Sequence, residues 1–116
     1  MKINSELIYN KGSISITEFF DLKKSGELFQ LIDVRQPEEH KKLAIKGAIL
    51  IPLDTLESAI DKVDINKIVI LYCRSGKRSA KAQDLLKRKG FEKTLNLKGG
   101  IIAWENYNNE ENVKWI

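Results

Sequence analysis

A chain of 116 residues that is 42% hydrophobic and 31% charged has the size and balance of a single globular domain, able to bury roughly two-thirds of its surface on folding. With one cysteine and one histidine it can build neither an internal disulfide nor a zinc site, and no apolar run is long enough to cross a membrane. The net charge of +4 does not point to nucleic acid, because acidic residues are scattered among the lysines along most of the chain, as on a solvated surface.

Residues 1–12 read as a polar lead-in. Met1 to Glu6 lacks the apolar core of a signal peptide, so a reducing, cytoplasmic setting is expected. A Leu7-Ile8-Tyr9 patch is placed to pack on the domain, and Asn10-Lys11-Gly12 is a turn. Ile14-Ser15-Ile16 alternates like a small strand. Thr17-Glu18 starts a helix with Phe19, Phe20 and Leu22 inward, and Ser25-Gly26 ends it. Phe29 to Val34 is a second strand, with Asp33 and Arg35 at its C-terminal end, where sites assemble in open parallel sheets. Pro37 opens a short helix to Lys42, acids first and lysines last as the helix dipole favours. Gly47 marks a turn, and Ala48 to Ile51 is a third strand closed by Pro52. Asp54 is expected to cap a helix, with Glu57 completing a capping box and Leu56, Ala59, Ile60 and Val63 on one side.

Ile68 to Tyr72 is an apolar, β-branched run typical of a buried parallel strand. Ser79 to Lys89 is the best helix, with Ala82, Leu85 and Leu86 inward and Gly90 as its stop; Phe91 packs back onto it. Thr94 to Leu97 is a fifth strand, Lys98-Gly99-Gly100 a tight turn, and Ile101 to Trp104 opens a last helix before a polar tail over 106–116. Strands alternating with helices imply one α/β domain over 1–116, with a mainly parallel five-stranded sheet covered on both faces.

The chemistry gathers at Cys73, on the connection between the fourth strand and the next helix. A buried structural cysteine belongs inside a strand pattern; this one follows its end and precedes Arg74, Ser75, Gly76, Lys77 and Arg78. A helix N-terminus with nearby cations lowers a thiol below its free pKa of about 8.5, which makes Cys73 a candidate nucleophile. Arg74, Lys77 and Arg78, with Lys81 a turn later, form a focused cationic site suited to a small anion.

Three stretches carry a family resemblance. Asp33-Val34-Arg35-Gln36-Pro37-Glu38-Glu39, with Ile45-Lys46-Gly47-Ala48 and Ile51-Pro52-Leu53, resembles the first motif of rhodanese-like domains. Cys73 to Ala80 is similar to the active-site loop of that family's single-domain sulfurtransferases, and Leu97 to Trp104 resembles its closing motif. The chain departs from the pattern at Leu43-Ala44, where many members carry Gly-His, and at His40, where an aromatic residue is common. Altered packing of that loop is expected there, and His40 is not expected to serve as a general base for Cys73.

The resemblance implies a rhodanese-like fold and a sulfurtransferase that works without metal or organic cofactor. Cys73 would take a sulfane sulfur from a small anionic donor such as thiosulfate and pass it to cyanide, a thiol or a sulfur-carrier protein. The loop amides would form an anion nest, Gly76 would allow the close turn, and Arg74, Lys77 or Arg78 would draw in the donor and stabilise the leaving sulfite. Ser75 is placed to offer its hydroxyl, and Ser79 to cap the helix. Asp33 and Arg35 would support the loop, scaffold first and substrate contacts second. Gly99, Gly100 and Trp104 read as a turn and a core anchor. A phosphatase or arsenate reductase is the rival enzyme, but those place an arginine six residues after the cysteine, where this chain has Ser79. A binding module relaying sulfur between proteins would use the same loop, although the intact loop in a free-standing chain favours an enzyme.

Overall fold

A computed structural model describes residues 11–113, with side chains described as far as Asn109. The Leu7-Ile8-Tyr9 patch and the last three residues lie outside that range. Five strands, β1 (Ser13–Ile14), β2 (Phe29–Asp33), β3 (Ile49–Leu50), β4 (Ile68–Tyr72) and β5 (Thr94–Leu97), form one sheet in the order β1-β5-β4-β2-β3, every pair parallel. The helices are α1 (Ile16–Lys24), α2 (Pro37–Lys42), α3 (Lys77–Arg88) and α4 (Gly100–Val113).

β4 lies in the middle of the sheet and all five of its residues are buried, as its unbroken apolar run requires. Its pleat sends Ile68, Ile70 and Tyr72 to one core, with α1 and α4, and Val69 and Leu71 to the other, with α3. Cys73 continues that alternation on the α3 side. Asp33 of β2 pairs with Tyr72, so the C-terminal ends of the two central strands open side by side.

Several expected boundaries move for identifiable reasons. Ser15, not Thr17, caps α1: Glu18 N donates to its hydroxyl at 3.1 Å, and Ser15 N donates to the Glu18 carboxylate at 2.9 Å. β1 therefore ends at Ile14. The helix expected after Asp54 is instead two 3-10 turns, Leu53–Thr55 and Ile60–Lys62, and Asp54 caps nothing. Leu56 and Val63 still reach the core, but the Thr55 and Ser58 hydroxyls donate to the carbonyls of Pro52 and Thr55, competing with a helical ladder. α3 begins two residues before Ser79, because Gly76, at φ +123°, turns the chain and its carbonyl accepts from Ala80 N. Phe91 does pack back, its N–H closing on Leu86 O at 3.0 Å beyond Gly90. The polar tail is helical as far as Val113: Trp104 joins the α1-side core and Tyr107 stacks on Phe20 with ring centroids 4.5 Å apart, anchoring α4 on α1.

Candidate active site

β4 delivers Cys73 to the C-terminal end of the sheet, where the chain leaves the strand and turns into α3. Cys73 is 1% exposed there. Gly76 N–H donates to its sulfur at 3.1 Å, and the Ser79 hydroxyl lies 3.4 Å away. Burial is the largest single influence and pushes the Cys73 thiol up. Hydrogen bonding by the Ser79 hydroxyl and by the backbone amides of Ser79, Gly76 and Ser75 together outweighs it, and the thiol sits below its ordinary value.

The amides therefore do much of what the sequence assigns to cations. Arg78 turns its guanidinium onto Glu39 of α2 in a two-pronged pair at 2.7 and 2.9 Å, while close enough to feel the charge of Cys73. That hydrogen bonding holds the Glu39 carboxyl down at about 2. Arg74 and Lys77 are exposed and make no ion pair among the described residues, and Ser75 is exposed beside them. Ser79 is buried in the first turn of α3 and does not cap it; its hydroxyl faces Asn96, Gly76 O and the sulfur.

The closing motif grips the loop from behind. Ile101 N donates to Cys73 O at 3.0 Å and Ile102 N to Arg74 O at 3.4 Å, so the start of α4 holds the loop carbonyls on one side. Gly100, at φ +55°, is where the backbones meet: a methyl there would collide with the carbonyls of Cys73 and Arg74, the latter's oxygen 2.6 Å away. Gly100 is thus part of the loop's mounting as well as a turn, a role that the sequence reading missed along with Asn96.

Asp33 and Arg35 sit beneath this arrangement, both buried. The Asp33 carboxylate accepts from Arg35 N, Nε and Nη2 at 3.0, 2.8 and 2.7 Å and from Tyr72 OH at 3.1 Å, and contacts His40 Nδ1 at 2.9 Å. Burial raises its pKa, but hydrogen bonding with Arg35 and His40 and the Arg35 charge hold it below the usual carboxylate range. Arg35 also donates to Leu43 O at 2.6 Å and lies 5.4 Å from the Tyr72 ring centroid. His40, tied to Asp33, belongs to this scaffold. Burial pushes the Tyr72 phenol up to about 12, and its oxygen accepts from Ile45 N at 3.1 Å. Tyr72→Phe removes both partnerships and is expected to cost about 1–3 kcal/mol in urea unfolding, since the Ile45 amide is left buried and unpaired.

Among the described residues no cluster of three or more His, Cys, Asp or Glu side chains could hold a metal, and no helix is long and apolar enough to cross a membrane. The rhodanese-like domain model matches residues 15–107. MoeZ of Mycobacterium tuberculosis, described as a probable adenylyltransferase/sulfurtransferase, is 41% identical over 97 residues, covering 81% of this chain but only 25% of its own length. A sulfurtransferase of Allochromatium vinosum is 38% identical over 74 residues, covering 64% of this chain and 69% of that protein. Among solved structures, a human single-domain sulfurtransferase superposes with a TM-score of 0.76 at 28% identity, covering 82% of this chain and 96% of the human chain. The five-stranded parallel sheet, the cysteine turn beyond its central strand and a family match over most of the sequence agree: the chain belongs to the rhodanese-like sulfurtransferase family.

Proposed function

We propose that this protein is a thiosulfate sulfurtransferase, carrying sulfane sulfur through a persulfide on Cys73. The observation that carries the reading is the Cys73 sulfur itself, buried at a helix N-terminus with Gly76 N–H on it at 3.1 Å and its thiol below the ordinary value. The thiolate attacks the outer sulfur of thiosulfate; the donor's S–S bond breaks, sulfite leaves with the electron pair, and Cys73 holds the persulfide. Cyanide, a thiolate or a carrier protein then attacks the outer sulfur, and Cys73 leaves as thiolate. Neither step needs a metal or organic cofactor, and a reducing, cytoplasmic compartment keeps the cysteine ready.

In this reading the loop amides bind the anion, and Arg74 and Lys77 draw in the donor. Gly76 permits the turn, Ser75 contributes its amide, Ser79 its hydroxyl, and Asp33 and Arg35 brace the strand ends. A phosphatase would require a cation where Ser79 stands, and Arg78 is already paired with Glu39. Glu39→Gln removes that neutralising charge. The expected result is a KM for thiosulfate lowered about threefold at low ionic strength, with the gain fading in salt.

The test compares thiocyanate formation from thiosulfate and cyanide with sulfur transfer from a protein persulfide, using wild type and Cys73→Ala. Cysteine-dependent turnover of thiosulfate supports the proposal. Transfer confined to the protein donor would replace it with a protein-to-protein relay.

A further inference from the structure

Ser79 is fully buried, and three acceptors surround its single hydroxyl proton: Asn96 Oδ1 at 2.6 Å, Gly76 O at 3.2 Å and Cys73 Sγ at 3.4 Å. The orientation of the Asn96 amide follows from its other partner. Its Nδ2 lies 3.1 Å from Gly76 O, an oxygen that can only accept, so Oδ1 must face Ser79. Gly76 O also takes the Ala80 N–H at 3.0 Å and is well supplied with donors. The short contact to Asn96 therefore has the strongest hold on the Ser79 proton.

This arrangement turns a Ser79 lone pair toward Cys73. That suits a thiol, whose S–H has an acceptor waiting, and opposes a thiolate, which needs a donor. Once the sulfur is ionised, the favourable geometry has the hydroxyl proton rotated from Asn96 to sulfur. Asn96 and the sulfur anion thus compete for one proton, on a serine that is itself fully buried.

We infer that Asn96 is a positioning residue that sets the reactivity of Cys73 through Ser79, holding the hydroxyl proton while the cysteine is a thiol and yielding it when the sulfur is anionic. The inference deepens the sulfur-transfer reading and rests on Cys73 being its nucleophile, but neither its geometry nor its test needs a sulfur donor. Asn96 touches no reacting atom in this scheme; its effect passes entirely through the Ser79 hydroxyl.

The experiment is the rate of Cys73 alkylation by iodoacetamide from about pH 5 to about pH 9 in wild type, Asn96→Ala, Ser79→Ala and the double variant. Freeing the hydroxyl proton makes Asn96→Ala react about threefold faster on the acid limb, its profile displaced to lower pH. Ser79→Ala reacts more slowly than wild type, and adding Asn96→Ala to it changes nothing further. Equal effects of Asn96→Ala with and without Ser79, or none in either background, would overturn the inference and leave Asn96 a packing residue of the loop. If Asn96→Ala does not fold, the near-isosteric Asn96→Asp serves instead. Its carboxylate grips the hydroxyl proton harder and is expected to slow alkylation about threefold; an unchanged or faster rate overturns the inference. Because alkylation is read without thiosulfate, a protein that takes up no sulfur yet shows this pattern loses the donor assignment and keeps the role of Asn96.

Discussion

Gly100→Ala is expected to unfold the active-site loop and to cost about 4 kcal/mol or more, a large part of the roughly 5–15 kcal/mol that holds a domain of this size together. The added methyl has nowhere to go. It would meet the Cys73 carbonyl and the Arg74 carbonyl carbon and oxygen, all backbone, and a backbone clash cannot be relieved by a change of rotamer. The positive φ of Gly100 adds strain of its own for any other residue. Moving α4 away breaks the hydrogen bonds that the Ile101 and Ile102 N–H groups donate to the loop carbonyls and frees the peptide planes that aim N–H groups at the sulfur. Denaturant unfolding should show a large loss of stability, and any folded fraction should alkylate at Cys73 like an ordinary cysteine. Gly99→Ala is the comparison: it shares the positive-φ strain, and its methyl would press on the Ala103 Cβ at 2.8 Å, but it meets no loop carbonyl, so it should cost less and leave Cys73 reactivity nearer wild type.

Asp33→Asn should be nearly as damaging, at about 3–5 kcal/mol, although it changes neither size nor shape. The carboxylate stands among the Arg35 side chain and amide, the Tyr72 hydroxyl and His40, and it is fully buried. An amide cannot accept from all of them, and its NH2 must face a donor. The Arg35 guanidinium, almost fully buried itself, would then lack its counter-charge. A pH signature separates this account from simple loss of packing. Asp33 and Glu39 are both depressed in the folded state, Glu39 from 4.5 to about 2, so the stability they contribute is fully present above the unfolded values. It is lost as pH falls through the folded values. Wild-type stability should therefore drop from about pH 4.5 toward about pH 2, and Asp33→Asn should show a shallower drop from a lower start, read as urea midpoints across that range.

The parts of this molecule legible in its sequence are those governed by local pattern. The continuous apolar run Ile68–Tyr72 reads as a strand buried on both faces, and it is the middle of the sheet. Pro37 with acids behind it reads as a short helix and forms one, and the end of the fourth strand marks the cysteine turn. What escaped depends on partners distant in the chain. Arg78 looks like a free cation until the fold brings Glu39, 39 residues away, against it. Ser79 looks like a cap because nothing local shows Asn96 waiting on the next strand, 17 residues on. Gly100 looks like a turn residue because the carbonyls it must accommodate lie in a loop 26 residues earlier. The helix expected after Asp54 failed for a local reason: its apolar spacing was right for burial, but the Thr55 and Ser58 hydroxyls favour tight turns.

A persulfide on Cys73 is read from the intact mass of the purified protein after brief exposure to thiosulfate, with Cys73→Ala alongside. The wild type is expected to gain one sulfur atom and the variant none, and cyanide to remove the added sulfur and release thiocyanate. A wild-type protein that stays at its starting mass and leaves thiosulfate untouched, or a Cys73→Ala variant that still gains sulfur, would contradict a Cys73 persulfide formed from thiosulfate.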